Sequence, residues 1–267
     1  MRFLCLPGAF GSAKNFEVQL GMRFKSEVSS GSISDDVTAP FCHELTSDDS
    51  ANFFFTQGQI ETTAPEGFAD YFGGGPFYKF FEYDGIQQNN VLERVRDFPE
   101  GENPEAVLRE LMPHGDSSIR QNIRNALDAI YRTMEEHGPF DGICAYSEGT
   151  VAAGCLIMDE ARRFKTEGRP RQIKRAVFFA GWPPVDGETN DLILMDTTED
   201  AIDIPTLHCV GADDPYLAGA MALFNICDQD NAVLFDHGKG HTIPRDKNTL
   251  GELADAVRAL GGDSVSE

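Results

Sequence analysis

Positive charge is scarce in this chain, and so are long apolar runs. Lys and Arg number 22 against 44 Asp and Glu, for a formal net charge of −22. A surface that acidic repels a polyanion over most of its area, which excludes nucleic acid as a partner. No segment approaches the roughly 20 apolar residues of a membrane span. The opening "MRFLCLPGAFG" has a short apolar run that Pro7 and Gly8 soon break, so no signal peptide is read there. The expectation is a cytoplasmic protein without a membrane partner. The six cysteines (5, 42, 144, 155, 209 and 227) show no C-x-x-C spacing, which argues against a zinc or redox motif. Cys5, Cys144 and Cys209 lie in apolar runs and read as reduced, buried thiols. Internal repeats are also lacking. The one concentration of cations is Arg162, Arg163, Lys165, Arg169, Arg171, Lys174 and Arg175. It reads as a helix end and solvated loop, with docking to an acidic partner as the alternative.

What is present is an alternation of short apolar runs and longer amphipathic stretches. Strands are predicted at 2–6, 52–58, 140–147, 175–181, 204–211 and 231–237. Helices are predicted at 13–27, 117–138, 148–165, 215–226 and 247–260. Near-continuous apolar strands alternating with helices predict an α/β fold, a mostly parallel sheet with helices on both faces. The expected organisation is one domain over 1–262 with a frayed tail at 263–267. Two stretches break the pattern. Residues 29–50 are polar and read as a surface excursion. Residues 59–116 are irregular, carry "GGGP" and hold eight aromatics between Phe68 and Tyr83. An insertion of that length commonly serves as a lid or binding wall, and its aromatics also suit packing on the sheet.

In such sheets ligands bind at the carboxyl ends of the strands. Gly8, Ser147, Trp182, Asp214 and His241 each follow a predicted strand closely, so they converge on one edge. Ser147 sits in "CAYSEGT", nearly the G-x-S-x-G turn that exposes a nucleophilic serine between strand and helix. Small residues two before and two after let strand and helix approach. Gly149 meets that need and Ala145 adds one methyl. The motif by itself also fits a helix-capping serine. A serine nucleophile needs an imidazole to take its proton and a carboxylate to orient the imidazole. "VGADDPYL" supplies Asp213 and Asp214, and "DHGKGHTIP" supplies Asp236, His237 and His241. Ser, acid, His is the chain order of α/β-hydrolases. A metal at His237 and His241 is disfavoured, because Gly238 and Gly240 oppose the helix that i, i+4 ligands require. No cofactor is expected. The backbone N–H of Glu148 and one from Ala9 or Phe10 are the candidate oxyanion donors.

These segments together resemble the fungal serine hydrolase family of the α/β-hydrolase fold. The resemblance rests on "FLCLPGAFGSAKNF", "FFFTQG", "GGGPFYKFFEYD", "FDGICAYSEGTVAA", "IPTLHCVGADDP" and "HGKGHTIP", and so runs through most of the chain. It assigns the acid to Asp214 and the base to His241, and sets aside Asp213 and His237. Two departures stand out: Pro7 where the family has histidine, and Ala145 where it has glycine. The resemblance implies an esterase or a thioesterase, the latter releasing a polyketide chain from the acyl carrier domain of a synthase. The expected substrate is thus a small-molecule acyl ester or a carrier-bound acyl thioester. Cyclising or C–C-cleaving use of the same site is the further alternative. Glu148 and Ala9 are expected to hold the oxyanion. Phe10, Phe77, Tyr78, Tyr146 and Trp182 are the expected substrate-binding side chains.

Overall fold

The computed structural model describes residues 1–21, 41–69, 73–82, 103–111, 118–189 and 191–262. Six strands form one parallel sheet: β1 (Arg2–Leu6), β2 (Asn52–Phe55), β5 (Gly142–Tyr146), β6 (Ala176–Phe179), β7 (Thr206–Val210) and β8 (Ala232–Asp236). Their order is β2-β1-β5-β6-β7-β8. The chain leaves β1 toward β2 on one side and returns to β5 on the other. The crevice beyond the carboxyl ends of β1 and β5 is therefore the topological switch point, where open α/β sheets place their ligands. The predicted fold class is the observed one.

The apolar runs of the inner strands β1, β5, β6 and β7 form strands because both faces of each are covered, while the edge strands β2 and β8 are partly open and β8 exposes Val233 and Leu234. Alternate side chains of one strand enter two different cores. Phe3, Cys5, Cys144, Tyr146, Val177, Phe179, Leu207 and Cys209 share one core. It is closed by α1 (Ala13–Gln19), α2 (Phe41–Thr46) and α7 (Lys247–Leu260). Leu4, Leu6, Ile143, Ala145, Ala176 and Phe178 point into the other. There α4 (Ser118–His137) and α5 (Glu148–Glu167) close the layer, while α3 (Pro104–Leu111) packs on α6 (Leu217–Asn225). All six cysteines are free and buried. No helix among the described residues is long and apolar enough to cross a membrane.

Three expectations are corrected. The helix predicted over 13–27 is α1, which stops at Gln19 with Leu20 as its C-cap; residues 22–27 lie outside the described residues. The stretch 29–50 is not polar excursion throughout. Phe41, Cys42 and Leu45 are buried on α2, a short apolar face set among polar neighbours and packed on α7. The insertion 59–116 is not structureless where it is described. It holds an antiparallel hairpin of β3 (Ile60–Thr62) and β4 (Phe77–Lys79), and helix α3. Asn103 caps α3 through the Ala106 N–H at 2.8 Å and Pro104 opens it, a start signal present in the sequence. The predicted tail 263–267, with Tyr71, Phe72 and Tyr83 of the aromatic stretch, lies outside the described residues.

Candidate active site

Ser147 joins β5 to α5 with φ 50° and ψ −120°. That conformation is rare for a non-glycine residue and costs on the order of 1–3 kcal/mol. A capping serine would instead be extended and would accept an N–H of the first helical turn; Ser147 makes no such side-chain bond. The turn is held from both sides. The Ser147 N–H bonds Phe179 O at 3.0 Å, and Ser147 O accepts the Thr150 N–H at 2.9 Å and the Thr150 hydroxyl at 2.7 Å. The buried Thr150 Oγ1 also accepts the Trp182 N–H at 2.7 Å, tying the turn to the segment after β6. Gly149 has no room for a side chain: a Cβ there would lie 2.5 Å from both Leu6 O and Pro7 O. Ala145 is different. It pairs in register with Leu6 and Phe178, and its methyl is buried in the core beneath α5.

The acid and the histidine arrive on neighbouring turns. Gly211 ends β7 against the backbone of Lys239 and Gly240, where any Cβ would collide with Lys239 O. The Asp213 N–H bonds Lys239 O at 3.2 Å. This contact brings the two turns together. Asp214 is buried; its Oδ1 accepts the Tyr216 N–H at 2.8 Å and its Oδ2 lies 2.8 Å from His241 Nδ1. His241 Nε2 lies 3.1 Å from Ser147 Oγ. An ionised carboxylate only accepts, so Nδ1 carries the proton and Nε2 is left to accept from the serine hydroxyl. The competing groups are placed elsewhere. Asp213 is exposed. Asp236 caps its loop, accepting from the N–H groups of Ala212 and Gly238. Both ring nitrogens of His237 are buried with no hydrogen-bond partner among the described residues.

Two tyrosines frame the imidazole. The Tyr146 hydroxyl donates to His241 O at 3.2 Å, and its ring lies 5.3 Å from the His241 ring. Burial and the nearby Asp214 charge push the Tyr146 phenol well up, so it remains a donor. Expected among the substrate contacts, Tyr146 sits beneath the histidine loop in the α1–α7 core. Tyr216 packs edge-on against His241 at 4.8 Å, and Trp182 packs against Tyr216 at 6.0 Å. No sequence motif marks Tyr216 or Thr150, although Tyr216 lies two residues beyond Asp214 in "DDPY".

On the other side of Ser147 lies the loop after β1. A Cβ on Gly8 would come within 3.1 Å of Ser147 Cβ and 3.0 Å of Tyr146 Cδ1, so glycine lets this loop meet the serine turn. Phe10 has φ 65° and is buried. Its ring meets Phe68 at 5.3 Å, which meets Phe77 at 5.7 Å. Phe10 and Phe77 thus belong to one aromatic row on this side, and Trp182 stands with Tyr216 on the histidine side. Tyr78 is opposite Glu61 in the hairpin, on the face turned away from Phe77. The Glu148 N–H opens α5, where a helix leaves its first N–H groups without intrahelical partners and favours negative charge.

The chain matches the family model described as serine hydrolase (FSH1) over residues 1–253. Esterase FPY3 of Fusarium mangiferae is 35% identical over 155 residues, 55% of this chain and 67% of that protein. Hydrolase phiM of Talaromyces stipitatus is 26% identical over 215 residues, 79% of this chain and 75% of that protein. The carboxylesterase of Mesorhizobium loti superposes over 98% of this chain and 88% of its own, with a TM-score of 0.48 and 14% identity.

Proposed function

The chain belongs to the FSH1 serine hydrolase family, and from that premise we propose that it cleaves acyl esters or thioesters through Ser147, His241 and Asp214. The observation that carries this reading is the continuous relay from Asp214 Oδ2 through the imidazole to Ser147 Oγ, at 2.8 and 3.1 Å. His241 takes the serine proton as Oγ attacks the acyl carbon, and Asp214 stabilises the imidazolium that forms. The oxyanion accepts from the N–H groups of Glu148 and Ala9. Collapse of the tetrahedral species expels the alcohol or thiol, protonated by His241. Water, activated by the same imidazole, then frees the acid and restores Ser147. Nothing in this cycle calls for a metal or a cofactor.

For the acyl donor, a free ester is the reading we favour. An acidic carrier domain would dock best on a patch of net positive charge, and the cations of the basic stretch are set among acidic neighbours. Arg162 and Arg163 both pair with Asp159, Lys165 with Asp200, Arg169 with Glu167 and Arg171 with Asp203, while Arg175 faces Asp141. Release of a polyketide chain from such a carrier therefore draws no support from this surface. The test is rapid mixing with p-nitrophenyl butyrate and, separately, butyryl-N-acetylcysteamine. A burst of p-nitrophenol stoichiometric with enzyme, absent in Ser147→Ala, is the expected result. Turnover by Ser147→Ala at the wild-type rate would overturn the reading.

A further inference from the structure

We propose that the Glu148 side chain is a positioning residue that sets the oxyanion side of the site; the proposal rests on Ser147 being the nucleophile. The proposed chemistry at the serine turn calls only on the backbone N–H of residue 148, which leaves the choice of side chain open. A carboxylate is a costly choice there. It is buried, and negative charge beside a developing oxyanion is unfavourable. One oxygen accepts the Phe80 N–H at 2.9 Å, and the other has no partner among the described residues. Burial lifts this carboxyl to about 7, against the pull of the Phe80 and Phe81 N–H groups and of Lys79 on β4. Lys79 also pairs with Glu82 at 3.7 Å.

What the carboxylate holds leads back to the active serine. Phe80 directly follows β4, and its carbonyl accepts from Gln59 Nε2 at 3.0 Å. Gly58 lies so close to Lys79 O that a Cβ would collide with it. The hairpin is thus pinned at this end by Glu148 from the serine turn and by the 58–59 segment. From β4, Phe77 reaches Phe68 and Phe68 reaches Phe10. Phe10 stands at positive φ in the loop whose Gly8 lies so near the serine turn that a Cβ there would come within 3.1 Å of Ser147 Cβ. A backbone held in that conformation depends on its surroundings to stay there. Residue 148 therefore offers one oxyanion donor through its backbone. Through its side chain and the aromatic row it fixes the loop that carries the other, Ala9.

The test combines kinetics with amide exchange, using Glu148→Ala, Glu148→Gln and Phe68→Ala, all counted per active site by p-nitrophenol burst. Glu148→Ala is expected to speed exchange at Phe80 and to lower kcat for p-nitrophenyl acetate by about 100-fold, the scale of a misplaced donor, with KM nearly unchanged. Glu148→Gln keeps an acceptor for the Phe80 N–H and should return both readouts close to wild type. Phe68→Ala cuts the aromatic row alone, so kcat should fall while Phe80 stays protected; this variant carries the test if Glu148→Ala does not fold. A folded Glu148→Ala or a Phe68→Ala with wild-type kcat overturns the proposal. Wild-type enzyme that gives no burst and takes up no fluorophosphonate at Ser147 overturns instead the nucleophile reading beneath it.

Discussion

At the scale of single residues, the site depends on positions where little else fits. Gly149 is one: a Cβ there meets two backbone carbonyl oxygens at 2.5 Å, and backbone cannot swing aside as a side chain can. Gly149→Ala should lose at least 1–3 kcal/mol in urea denaturation, the ordinary cost of forcing extra volume into a packed contact. For the relay, Asp214→Asn is expected to lower kcat by about 10⁴-fold, since an amide no longer favours the productive tautomer of His241. Glu148 gives a pH signature. Its carboxyl lies at about 7 when folded against an ordinary 4.5, so the native state binds the extra proton between these values. The stability it contributes is present below about 4.5 and lost as pH rises through 7, a swing of about 3 kcal/mol. Glu148→Gln should abolish that swing, so thermal melts from pH 4.5 to 8 should show the wild type losing Tm relative to the variant. A constant difference between the two would contradict the assignment. Ser147 could be named from its strand–turn–helix setting, whereas the choice of Asp214 over Asp213 and Asp236, and of His241 over His237, rested on the family resemblance. Thr150 and Tyr216 could be named from neither, because a threonine in a helix and a tyrosine in a loop have many ordinary reasons to be there.

At the scale of elements, the strand–turn–helix unit of β5 and α5 does the central work. Its strand is buried on both faces, which makes its apolar run readable, and its helix begins where the serine turn ends. Thr150 locks the unit to the segment after β6 by accepting the Trp182 N–H at 2.7 Å. Thr150→Val would leave that N–H without its partner, at a cost of about 1–3 kcal/mol. Calorimetry should show a lower Tm for Thr150→Val and recovery in Thr150→Ser. Equal melting of Thr150→Val and wild type would remove Thr150 from the account. The elements that escaped prediction are short ones. Helix α2 buries three side chains on a single turn or so, too few for a periodicity to emerge from polar surroundings. The β3–β4 hairpin pairs only three residues per strand across a long connection, so its register is set by tertiary contacts such as Phe80 with Glu148 and not by a turn motif.

At the scale of the whole molecule, a parallel sheet with two covered faces explains both the composition and the location of the site. Strands that bury both faces use cysteine as a small hydrophobe, and all six thiols are free and buried. Ellman's reagent should therefore react slowly with the native protein and rapidly with six thiols after unfolding. Fast reaction of any native thiol would contradict that burial. The architecture was legible because β–α alternation with doubly buried strands permits few arrangements. The pairing of cations in 162–175 was not, since their partners Asp141, Asp200 and Asp203 come from elsewhere in the chain. On the proposed mechanism, three strand ends bring Ser147, Asp214 and His241 into one nucleophilic relay. Its most direct test is a fluorophosphonate reaction followed by peptide mass mapping. A single adduct is expected on the peptide that holds Ser147, formed slowly in Asp214→Asn and His241→Ala and not formed in Ser147→Ala. A well-folded wild type that acquires no adduct, or acquires it on another residue, would contradict it.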